Sequence, residues 1–78
     1  MTITVYSKPD CVQCDRTKFL MDREGIERTT IDVTQDAESL AYIKGLGYLS
    51  APVVVIKDDN GEVTNHWYGF RPDLINQI

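Results

Sequence analysis

The chain reads as a small α/β protein, a four-stranded mixed sheet flanked by three helices in the order β-α-β-α-β-β-α. Three observations lead there. Short β-branched runs alternate with helical patterns through the first half. The run "PVVVIK", Pro52 to Lys57, is continuously apolar, as suits a strand covered on both faces. The turn-rich "DDNG", Asp58 to Gly61, then separates it from a further strand-like run.

The elements follow in order. "TITVY" alternates, with Ile3 and Val5 on one face, and predicts the first strand. "SKPD" breaks it. A helix is expected from Val12 to about Glu24, with Val12, Phe19 and Leu20 near one apolar stripe and Gly25 as its left-handed stop. "RTTIDV", Arg28 to Val33, predicts a second strand, parallel to the first because a helix crosses between them. Thr34 is the expected cap of a second helix whose apolar face holds Ala37, Leu40, Ala41 and Ile43. After the buried run, Asn60-Gly61 predicts a two-residue hairpin turn into "EVTNHWY". Pro72 suits the first position of a short last helix.

The 78 residues are expected to form one domain with a modest core, and 42% hydrophobic content is ordinary for a globular chain. The formal net charge of −4 argues against a general nucleic-acid binder and leaves no polybasic patch for a membrane surface. The longest apolar run, Ala51 to Ile56, is too short to span a bilayer. "MTITVYSK" lacks the basic start and apolar stretch of a signal peptide, so a cytoplasmic location is expected.

Chemistry concentrates in "CVQC". Cys11 and Cys14 are the only cysteines. In a reducing cytosol a lasting structural staple is disfavoured, and disulfide-built mini-domains carry more bridges. A structural zinc site needs four ligands, and only His66 remains as a third soft donor, so no metal site is expected within one chain. A dimer sharing a metal or iron–sulfur cluster is the alternative from another class. For His66 the preferred reading is a strand residue beside Trp67 without chemistry.

A redox pair fits the placement best. At a helix start, unsatisfied N–H groups and the macrodipole favour a thiolate over a thiol. Lys8, three residues upstream, is a further thiolate-stabilising candidate. Residues i and i+3 in a helical turn lie close enough for a small adjustment to close a disulfide. Cys11, at the helix tip, is then the expected nucleophile and Cys14 the resolving thiol. Val12 and Gln13 between them add no charge and are expected to face a substrate. Pro52, before the buried strand, is a rigid turn or a cis bond, and the residues alone leave that choice open.

Together, "YSKPDCVQC", "LGYLSAPVVV" and "HWYGFRPD" resemble the thioredoxin superfamily, and within it the glutaredoxin-like NrdH-redoxins, over nearly the whole chain. The resemblance implies a thioredoxin/glutaredoxin-like fold and a thiol–disulfide oxidoreductase with a redox-active Cys11–Cys14 disulfide. It implies that Pro52 is cis and faces the cysteines, leaving the Ala51 backbone free to pair with a substrate segment. It also implies no bound cofactor: electrons come from NADPH through thioredoxin reductase and pass to the catalytic subunit of class Ib ribonucleotide reductase. A monomer is expected. Trp67, Tyr68, Gly69, Phe70, Arg71, Pro72 and Asp73 form the expected partner-specificity loop, with Arg71 bracing it. Tyr68 departs from the family's usual Trp-Ser-Gly-Phe-Arg-Pro, replacing a small hydroxyl by an aromatic. The alternative within the superfamily is a glutathione-dependent glutaredoxin. Against it, the usual Cys-Pro-Tyr-Cys proline is missing, and Gly69-Phe70-Arg71-Pro72 replaces the glutathione-holding double glycine.

Overall fold

A computed structural model describes all 78 residues, as β1 (Thr2–Ser7), α1 (Val12–Arg23), β2 (Thr29–Asp32), α2 (Ala37–Gly45), β3 (Val53–Lys57), β4 (Val63–Tyr68) and α3 (Pro72–Ile75). The strands form one sheet in the order β2-β1-β3-β4. β1 and β2 are parallel, while β1–β3 and β3–β4 are antiparallel. The expected order and mixed sheet are therefore both present.

Alternation along the strands builds two apolar layers. Ile3, Val5, Val54, Ile56 and Trp67 pack with Met21 of α1 and Ile75 of α3. On the other side, Tyr6, Val53 and Val55 pack with Val33 and with Ile43 of α2. This is why β3 reads as a continuous apolar run: Val53 to Ile56 are all buried, alternately on opposite faces. α1 ends as its sequence predicts. Gly25 is left-handed at φ +69°, and Ile26 N–H reaches back to the Met21 carbonyl at 2.8 Å, satisfying a carbonyl that the helix leaves open.

Four local expectations are corrected. The stripe of α1 that faces the core is Cys14, Thr17 and Met21; Val12 and Phe19 are 66% and 68% exposed, and only Leu20 of the expected stripe packs inward. Ala37 and Ala41 are exposed, and α2 buries Ile43, with Leu40, Tyr42 and Leu46 packed around it. The cap of α2 is Asp36, whose carboxylate accepts the N–H groups of Glu38 and Ser39 at 3.1 and 3.2 Å. Thr34 is drawn instead into a turn on Asp32, which accepts both its N–H (2.8 Å) and its hydroxyl (2.6 Å).

The hairpin is not the expected two-residue turn. Asp58 N–H donates to Glu62 O at 2.9 Å, so the loop spans residues 59–61. The Asp58 carboxylate accepts the N–H groups of Asn60 and Glu62. Gly61 alone is left-handed there, at φ +80°, whereas a two-residue type I′ turn needs two such residues. A register shift follows at Ile56/Lys57.

Candidate active site

The site forms where β1 hands over to α1. Asp10 turns the chain with φ +55°, a left-handed conformation that aspartate tolerates better than most side chains. Cys11 is the N-cap of α1, in extended conformation, and its Sγ accepts the Cys14 N–H at 3.2 Å. A sulfur thus occupies the place a serine or aspartate oxygen usually takes at a helix start. Once the pair is reduced, a hydrogen bond of this kind and the helix dipole both favour negative charge on that atom.

Cys11 and Cys14 form a disulfide, with their Cα atoms 5.2 Å apart. Cys11 retains 8% exposure and Cys14 none. Beneath them Thr17 is fully buried, and its hydroxyl donates to the Gln13 carbonyl at 2.8 Å.

Ala51 packs against both cysteines, its carbonyl oxygen 3.7 Å from Cys11 Sγ. The Ala51–Pro52 bond is cis, as the family resemblance implies. Neither the N–H nor the C=O of Ala51 is engaged by another backbone group, so this short edge lies unpaired beside the disulfide. Pro52 O accepts the Gly69 N–H at 2.9 Å, which brings the segment after β4 to the site.

The expected loop, 67 to 73, divides into different environments. Trp67 is only 4% exposed and belongs to the core, which corrects its expected place among partner-facing residues. Its position in β4 opposite Val54 turns the ring inward. Tyr68 is partly exposed and stacks with Tyr48 at 6.5 Å between centroids. Phe70 N–H donates to Gln13 Oε1 at 3.1 Å. Arg71 donates two hydrogen bonds to Asp73, at 3.1 and 2.9 Å, and Pro72 starts α3. The hydrogen bond from Arg71, with its charge, holds the Asp73 carboxyl below the ordinary carboxylate range, and Asp73 in turn pushes the Arg71 guanidinium up.

Lys8 Nζ donates to Ser50 Oγ at 3.4 Å, so the lysine reaches toward the loop that precedes Ala51. His66 Nδ1 lies 2.7 Å from the Tyr48 hydroxyl. No group of three or more histidine, cysteine, aspartate or glutamate side chains is arranged to hold a metal ion. Sequence reasoning missed the Gln13–Phe70 bond and the buried Thr17. The first spans 57 positions and left no local signal. The second has a signal in the helical spacing of Cys14, Thr17 and Met21, in which cysteine stands as an apolar residue.

A disulfide across the first turn of a helix, with a cis-proline edge packed against it on a β-α-β-α-β-β-α sheet, defines a thiol–disulfide oxidoreductase of thioredoxin-like fold. Comparison with known proteins places it more finely. The glutaredoxin family model matches residues 3–60. The glutaredoxin-like protein NrdH of Escherichia coli K12 is 37% identical over all 78 residues, covering 89% of that protein. The gene 56 protein of Mycobacterium phage L5 is 34% identical over 97% of this chain and 70% of its own length. The solved structure of the E. coli NrdH-redoxin superposes with a TM-score of 0.88, over 100% of this chain and 95% of that one. The chain belongs to the glutaredoxin family, on its NrdH-redoxin branch.

Proposed function

We propose that the chain works as one glutaredoxin-like domain, a monomeric cytoplasmic dithiol donor. It is reduced by thioredoxin reductase at the expense of NADPH and in turn reduces the catalytic subunit of class Ib ribonucleotide reductase. The observation that carries this reading is the Cys11 sulfur, held by the Cys14 N–H beside the unpaired Ala51 backbone.

The reaction follows from that arrangement. In the reduced state, the Cys11 thiolate attacks one sulfur of the substrate disulfide. A Cys11–substrate bond forms, the substrate S–S bond breaks, and one substrate thiolate leaves and takes a proton. Cys14 then loses its proton and attacks Cys11 Sγ. The mixed disulfide breaks and the second substrate thiol departs. Two electrons have passed to the substrate, and the Cys11–Cys14 disulfide remains. Two electrons from NADPH, passed on by the reductase, and one proton taken up restore the Cys11 thiolate and the Cys14 thiol. Ala51 holds the substrate segment by backbone hydrogen bonds while this occurs.

Val12, Phe19, Leu20 and Phe70 line a groove of about 420 Å³ along α1; it begins at the residue after Cys11 and also takes in Asp15, Arg16 and Arg23. Exposed apolar side chains of this kind are suited to cover by a protein partner. Electron transfer from thioredoxin reductase, rather than glutathione, is supported by the Gly69-Phe70-Arg71-Pro72 segment and by kinship with the E. coli NrdH-redoxin, a protein with a thioredoxin-like activity profile. The test is insulin reduction in two coupled systems. NADPH with thioredoxin reductase should sustain turnover. Turnover only with glutathione and glutathione reductase would make the protein a glutathione-dependent glutaredoxin.

A further inference from the structure

Gln13 stands between the two cysteines and its residue is exposed, yet its amide is committed within the molecule. Oε1 accepts the Phe70 N–H at 3.1 Å. Phe70 lies between β4 and α3, where no strand or helix supplies a partner for that N–H. The neighbouring Gly69 N–H donates to Pro52 O at 2.9 Å. Gly69 has φ +89°, and a Cβ there would stand 3.1 Å from the same Gln13 Oε1. Ala51, next to Pro52, sets its carbonyl 3.7 Å from Cys11 Sγ.

These contacts close a ring. It runs from the start of α1 through Gln13 to Phe70 and Gly69, on to Pro52 and Ala51, and back to Cys11. Arg71 stands outside it, paired with Asp73. Three segments distant in sequence meet here, and only one side chain, that of Gln13, bridges α1 to the segment after β4 by a hydrogen bond.

We propose that Gln13 is a positioning residue for protein disulfides: its amide oxygen holds Gly69–Phe70, and through Pro52 the Ala51 edge, in docking register with Cys11. This rests on the reading of Ala51 as the docking edge. A small disulfide presents little more than its sulfurs to Cys11. A protein disulfide brings flanking backbone, which needs the Ala51 edge at a fixed offset from the attacking sulfur. Loosening the ring therefore penalises the protein substrate selectively.

The test uses pre-reduced protein in single-turnover reactions with bis(2-hydroxyethyl) disulfide and with insulin. The ratio of the insulin rate constant to the small-disulfide rate constant cancels changes in thiolate reactivity. In Gln13→Met, which keeps the length and loses the acceptor, the ratio should fall roughly five- to tenfold, the worth of one ordinary hydrogen bond. In Gln13→Glu, which keeps an acceptor oxygen, it should stay within about twofold of the parent, well under the effect of one such bond. A Met variant with an unchanged ratio, or a Glu variant that falls as far as Met, overturns the proposal. Thermal melts accompany each variant. Should Gln13→Met not fold, Gly69→Ala strains the same contact from the other side, and its ratio must fall as well. A parent protein that reduces neither disulfide would instead overturn the functional reading itself.

Discussion

The two faces of α1 carry similar side chains to opposite ends. The inner face, Cys14, Thr17 and Met21, is fully buried, Met21 against the sheet and Cys14 against Ala51. The outer face sets Val12 and Phe19 in solvent beside Phe70, one step from the disulfide. Inner residues determine where the helix sits and hence where its N-terminal cysteine stands. Outer residues add nothing comparable to the core and are available to a partner. One helix thus separates the side chains that fix the position of the site from an exposed apolar face, with the two cysteines at the junction of both.

The largest effects should come from that junction. Cys11→Ser should abolish disulfide reduction in the coupled assay; retained turnover would reassign the nucleophile. Cys14→Ser should stall after the first attack, so intact mass should show one substrate half bound to Cys11. Absence of that adduct would reverse the order of attack.

Next comes the contrast in stability. Met21→Ala should cost about 2–5 kcal/mol in urea unfolding, because a fully buried side chain leaves a cavity. Phe19→Ala should change stability by no more than about 0.5 kcal/mol, as for other exposed positions. Equal costs would break the distinction between the faces. Between these, Thr17→Val should cost about 0.5–1.5 kcal/mol through loss of the hydroxyl bond to Gln13 O.

The smallest effect lies at Arg71–Asp73, an exposed pair at the start of α3. The Asp73 carboxyl is depressed in the folded state by the Arg71 hydrogen bond and charge. Its contribution is therefore present above the unfolded carboxylate value, about 4, and is lost as pH falls through the lower folded value. Titration by NMR should find Asp73 below the ordinary range, and Arg71→Ala should return it there. An Asp73 that titrates normally in the parent would remove the pair from the account.

The contrast also explains what was legible in the sequence. Cys11 and Cys14 announce themselves by residue type and spacing at a strand–helix junction. β3 is visible because both of its faces are covered. The inner face of α1 was obscured because Thr17 is polar and its burial depends on a hydrogen bond to its own helix. Apolarity alone does not say which face of α1 meets the sheet, so Phe19 reads as core and yet stands in solvent. Thr34 looked like a cap until Asp32 and Asp36 divided the local donors between them. Trp67 sat in a motif expected to meet partners, yet strand alternation turned it inward. The Gln13–Phe70 bond exists only after folding brings the two segments together.

In the proposed function, the Cys11–Cys14 pair draws its electrons from thioredoxin reductase and delivers them to a protein disulfide. The most direct measurement is NADPH oxidation by the purified protein with insulin, in parallel systems containing thioredoxin reductase or glutathione with glutathione reductase. Sustained oxidation is expected in the first and background in the second. Background in the first with turnover in the second would contradict it.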